Sequence, residues 1–244
     1  MEARVELLIW TALSLLLGVV AVNAAHRAQG GRLIQFAEES AAGALLREVG
    51  LFAFMVGLPF GALISGASGI DLMAMGKNLT ASDNILGFPF VDWVRGVGQI
   101  SLVVLCVLVV LWLAGRVAPG SQPWRVGVMG TRDAFYNEVH WTFYRAAPAL
   151  WLGDFYWGVV IGMMLVIVEW ITHPDASFWL ATIEGRQMLA VRLACALTSG
   201  FLYLATHNLW LMITANFVIQ VAGSRLISYR AAAVQEQAKS TRNP

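Results

Sequence analysis

Charge is what this chain lacks most. Only 13% of its 244 residues are Asp, Glu, Lys or Arg, against about 25% in a typical soluble domain. So small a polar surface excludes an ordinary water-soluble globule and points to lipid as the solvent. Cysteine is nearly absent: Cys106 and Cys195 each lie in an apolar run with no neighbour at metal-ligand spacing. Neither a disulfide framework nor a zinc pattern is implied, and each reads as a small buried hydrophobe. A formal net charge of +1 supplies no concentrated basic face, so no nucleic-acid partner is expected.

What the chain has instead is apolar length. Hydrophobic residues make up 58% of it, and its mean hydropathy is +0.67. A membrane span needs about 20 apolar residues at about 1.5 Å each. Three stretches meet this without a charge: Leu7–Ala25, Val49–Ile70 and Gly96–Gly115. The first is longer than a signal-peptide core and follows acidic Glu2 and Glu6, so it is expected to be a retained span. Between the first two spans, "RLIQFAEESAAGALLREVG" mixes apolar residues at helical spacing with Glu38, Glu39, Arg47 and Glu48. It reads as an amphipathic helix lying along the interface.

Four further spans carry polar residues: Ala134–Leu152, Phe155–Thr172, Arg186–Thr206 and Leu209–Ser224. The expected fold class is therefore all-α, a polytopic membrane bundle of about seven transmembrane helices plus the interfacial helix. Residues 1–228 form one membrane domain and 229–244 a polar tail. The loop between the second and third spans includes an Asn78-Leu79-Thr80 sequon. With seven spans, eleven Lys and Arg residues fall on the side of the C-terminus, against Arg4, Lys77 and Arg95 on the other. That bias predicts a cytoplasmic C-terminus and an external N-terminus.

Ionisable side chains inside a bilayer are expensive and tend to face the bundle interior. In "YNEVHWTFYR", Glu138, Thr142 and Arg145 lie at i, i+4 and i+7 on one helix face, with His140 on the adjoining one. The topology brings Glu138, His140, Glu169, His173, Asn216 and Gln220 toward one half of the bundle. A carboxylate facing imidazoles in a dry cavity suits water activation, and Asn or His can polarise a carbonyl. Two His and a Glu would alternatively hold Zn²⁺, so the cofactor is either none or zinc.

These residues resemble the CAAX-protease and bacteriocin-processing (CPBP) family of intramembrane proteases. The resemblance covers roughly Trp124 to Gln220, under half of the chain. The segment "WRVGVMGTRDAFYNEVHWTFYR" is similar to the family's paired-Glu segment, with Asn137 at the first Glu and Thr142 at its Arg. "IVEWITHP" occupies the place of the aromatic–His motif, and "SGFLYLATHNLWLMITANFVIQ" resembles the helix pair leading into the last motif. There Asn216 replaces the final His and Gln220 its partner; a second alignment reads Tyr203 and His207 as the aromatic–His motif. The resemblance implies an intramembrane endopeptidase acting on a membrane protein or peptide. Its catalytic set would be Glu138 as water-activating base, with His140, Arg145, His173 and Asn216. Two other readings of the same residues stand beside it. One is a non-enzymatic scaffold or assembly subunit of a membrane complex. The other is a pigment- or haem-binding subunit with His140 or His207 as axial ligand.

Overall fold

The computed structural model describes residues 2–27, 40–76, 84–117 and 131–223. The first part of the expected interfacial helix, the Asn78 sequon, the Arg-rich loop before Thr131 and the polar tail lie outside the described residues. The fold is an all-α bundle. Helix α1 spans Ala3–Arg27; α2, Ala41–Phe52, runs through one π-helical turn, Ala53–Gly57, into α3, Leu58–Ile64. A two-stranded hairpin, β1 (Asn84–Ile85) and β2 (Phe88–Pro89), leads into α4, Phe90–Val117. Then come α5 (Thr131–Leu152), α6 (Phe155–Thr172), the short α7 (Ala176–Ala181), α8 (Ile183–Thr206) and α9 (Leu209–Gly223).

Five of these rods are long and apolar enough to cross a membrane: α1, α2 with α3, α4, α6 and α8. Their apolar side chains face outward in numbers a soluble protein does not tolerate, among them Leu16, Val20, Leu46, Leu102, Leu105 and Val110. The chain is thus a multi-pass integral membrane protein. The other two expected spans are of a different kind. Helix α5 has 22 residues, about 33 Å of helix, but carries too many polar groups to pass as an apolar span. From Glu138 to Ala149 every residue is buried. It is the inner helix, covered on all sides by α1, α6, α8 and the π turn. Helix α9 is shorter than the five and reaches α5 through the bond from Asn216 to Glu138.

The second span departs from the boundaries that its charge-free run suggests. Helix begins at Ala41, where the Ser40 hydroxyl accepts from Gly43 N at 2.9 Å, and ends at Ile64. The stretch 41–50, expected along the interface, is the first half of this span. Its charges are tolerated because Glu48 bonds Arg132 at the start of α5. The far end stops at Ile64 because Gly66 adopts φ +81°, a left-handed conformation that terminates helices. Residues 65–76 then fold back on the α8–α9 corner. The Tyr203 hydroxyl donates to Leu72 O at 2.8 Å, and Leu209 N donates to Ala74 O at 2.7 Å.

Local sequence makes the remaining corners. Asp154 caps α6 by accepting from Tyr156 N at 2.7 Å. Thr182 caps α8 by accepting from Gly185 N at 2.9 Å. His207 closes α8 with φ +46°, and the Asn208 side chain accepts from Trp210 N and Leu211 N to start α9. Between α5 and α6 the contact is unusually close. Gly158 and Gly162 are spaced as GxxxG, and a Cβ at Gly162 would meet Arg145 Cγ at 2.7 Å and Arg145 Cα at 2.9 Å. Small residues at this spacing let backbones approach in a membrane. The approach puts the long Arg145 stem flat against α6.

Candidate functional site

Three helices build one polar centre. Glu138 sits on α5 two turns after its start, and Arg145, seven residues on, shares its face. Arg145 Nη1 donates to Glu138 Oε1 at 3.3 Å. Ser199 from α8 donates its hydroxyl to the same oxygen, and the Asn216 side-chain amide from α9 donates to Glu138 Oε2. All four residues are buried, Glu138, Ser199 and Asn216 at 0% exposure and Arg145 at 1%. The Arg145 guanidinium carbon also lies 5.6 Å from the Tyr203 ring centroid, a distance at which the ring quadrupole attracts the cation.

The centre thus consists of one carboxylate, one guanidinium and two neutral donors. The partners cover both carboxylate oxygens. Around them, Arg145 Nε and Nη2, Asn216 Oδ1 and Gln220 Oε1 are buried without a hydrogen-bond partner among the described residues. Buried polar atoms are ordinarily satisfied by protein or ordered water, so these are the atoms of the centre with bonding capacity to spare.

His140 belongs to a second group. Its Nε2 lies 3.3 Å from Glu169 Oε2 on α6, and its ring is flanked by Tyr144 at 4.3 Å and Phe54 of the π turn at 4.9 Å. The α5–α6 hairpin explains the pairing, because antiparallel helices joined after Leu152 bring positions 140 and 169 to one level. His173 lies beyond, where α6 ends. It stacks on Trp179 of α7 at 4.8 Å, and its Nδ1 accepts from Asp175 N at 3.1 Å. The Arg192 guanidinium carbon lies 4.8 Å from the same Trp179 ring. No histidine is among the hydrogen-bond or ion-pair partners of Glu138 among the described residues.

Of the expected catalytic set, the structure therefore unites Glu138, Arg145 and Asn216. It places His140 with Glu169 and sets His173 at a helix end. For zinc, no group of three His, Cys, Asp or Glu side chains among the described residues is arranged to hold a metal ion. His207, weighed as an axial ligand, points its Nε2 at Asp71 O and packs against Phe155 and Tyr203. Sequence reasoning missed Ser199 and the role of Tyr203 under Arg145. The available signal was spacing, since Cys195, Ser199 and Tyr203 recur every four residues and share the buried face of α8.

The His173 site has a pH signature. Burial pushes its imidazole below the ordinary 6.5; Arg192 and His26 act in the same direction, while Asp175 and Glu169 oppose them. A base with a depressed folded pKa holds its proton less well than the unfolded chain does. Its contribution to stability is therefore complete above pH 6.5 and is lost as pH falls through the lower folded value. NMR titration of the imidazole in micelles should give a midpoint below 6.5, moving up in Arg192→Gln. A wild-type midpoint at or above 6.5 would contradict the half-buried, stacked placement.

Family models, curated proteins and solved structures were each compared with the chain, and none of them matches it.

Proposed function

We propose that this protein is a non-enzymatic membrane scaffold or assembly subunit, in which Glu138, Arg145, Ser199 and Asn216 hold three helices together. One observation carries this reading. The Glu138 carboxylate is sealed from solvent and spends both oxygens on donors from its own bundle. A general base needs a free lone pair directed at a water, and that water needs a carbonyl beside it polarised by a second group. Here three donors occupy three of the roughly four lone-pair sites of the carboxylate, and the His140 imidazole pairs with Glu169 instead. The same four groups are well suited to fixing register, because each helix supplies a partner that only one arrangement satisfies.

A second reading, a CPBP-like endopeptidase, is favoured by the unpartnered atoms. Asn216 Oδ1 and Arg145 Nη2 belong to the two partners of the carboxylate and have no hydrogen-bond partner of their own among the described residues, so each has bonding capacity that a water or a substrate amide would satisfy. The two readings separate in one assay. Wild type and Glu138→Gln, reconstituted in liposomes, are incubated with a panel of quenched-fluorescent transmembrane peptides. The scaffold reading expects no turnover above empty liposomes from either protein. Cleavage by wild type that is abolished in a folded Glu138→Gln protein would overturn it in favour of the protease.

A further inference from the structure

A groove of about 520 Å³ opens between α1 and the α2–π–α3 rod, away from the Glu138 centre. Leu17, Gly18, Ala21 and Val22 form one wall; Gly50, Leu51, Ala53 and Phe54 form the other, with Arg47 at the end nearest the start of α2. Small residues keep it open: a Cβ at Gly50 would meet nothing within 4 Å. The π turn contributes Ala53 and Phe54, and Phe54 is fixed from behind by the His140 ring at 4.9 Å. The groove is therefore built into the irregular turn.

An apolar groove alone would select nothing in a membrane, because lipid tails are as apolar as its walls. Selection comes from the charged end. The Arg47 side chain is 65% exposed, and its ion-pair contact is a long 3.9 Å approach to Glu48. The other Glu48 oxygen is bonded by Arg132, so this carboxylate is shared between two cations. Arg132 and Arg192 also lie near this end of the bundle, each tied to a group of its own fold. Arg47 is the described cation left facing the groove with an incomplete partner.

We infer that this groove binds an anionic phospholipid of the surrounding bilayer, with one acyl chain between α1 and the π turn and the phosphate on Arg47. A guanidinium offers a fork of donors matched to phosphate oxygens. The apolar stem of Arg47 lets that head reach the interface while the chain lies along the groove. The inference does not rest on the scaffold reading, since a protease would carry the same groove.

The test uses the full chain, purified in detergent and examined by native mass spectrometry with added palmitoyl-oleoyl phosphatidylglycerol or phosphatidylcholine. Wild type should retain phosphatidylglycerol about five-fold more tightly, the effect of about one basic residue on an anionic lipid. Arg47→Gln should bind both lipids equally. Gly50→Phe, which fills open space, should lose the phosphatidylglycerol adduct while keeping the wild-type helical circular dichroism. Ala21→Phe blocks the opposite wall and serves as the second filling variant. Equal retention of the two lipids by wild type overturns the inference. So does a phosphatidylglycerol preference that survives Arg47→Gln, or one that survives both filling variants.

Discussion

Arg145→Met is expected to destabilise the protein by about 3–5 kcal/mol, the cost of leaving one member of a buried ion pair alone. The substitution keeps much of the stem that packs on Gly162 but removes the only cation bonded to Glu138 among the described residues. Ser199 and Asn216 would remain as neutral donors, and neutral contacts between membrane helices are worth on average only about 0.6 kcal/mol. The missing charge therefore outweighs the bonds that persist. Glu138→Gln should cost a similar amount from the other side, since it strands the guanidinium. The double variant Glu138→Gln/Arg145→Met removes both charges and should recover most of either loss. Denaturant unfolding of the four proteins in micelles gives the cycle. Near-additive losses, or single variants within about 1 kcal/mol of wild type, would show that the pair does not hold the bundle. Ser199→Ala sets the scale for a neutral partner and should cost under about 1 kcal/mol.

The ion pair was the most legible part of the site because a helix forces it. Residues seven apart share a face, and two opposite charges on one face of a helix in a bilayer have nowhere to go but inward. What lay across from them was less legible. Ser199 is a small polar residue in a long apolar helix, and such serines commonly bond their own backbone; only the tertiary fold aims this one at Glu138. The grouping of six polar residues into one half of the bundle resolved into separate clusters for a similar reason. Topology sets depth but not azimuth, so Glu169 and Glu138 share a level while Glu169 faces His140. The second span shows the limit of apolar runs as rulers. No charge interrupts Val49–Ile70, yet one left-handed glycine at 66, inside the apolar run, ends the helix. Its first half reads as amphipathic only because Glu48 has its partner, Arg132, 84 positions away in the sequence.

The second large effect is expected at Gly162. A Cβ there would lie 2.7 Å from Arg145 Cγ, 2.9 Å from its Cα and 3.0 Å from its N. Two of these three atoms are backbone, so no rotamer change relieves the contact and α5 and α6 must move apart. Gly162→Ala should cost about 1–3 kcal/mol by overpacking, and Gly162→Leu more. Gly158→Ala meets Ala149 Cβ at 2.6 Å and Arg145 O at 2.9 Å. Adding Ala149→Gly removes only the first of those clashes and should restore part of the loss. Gly98→Ala is the control, because a Cβ there meets nothing within 4 Å; it should be neutral or slightly stabilising by improving helix propensity. The informative measurement combines the two predictions. Gly162 touches Arg145 directly, so Gly162→Ala should shift the guanidinium off Glu138 and remove part of what Arg145→Met removes. The double variant Gly162→Ala/Arg145→Met should then be more stable than the sum of its parts predicts, since contacting residues are non-additive. Strict additivity would mean that the close α5–α6 crossing and the ion pair stabilise the bundle independently.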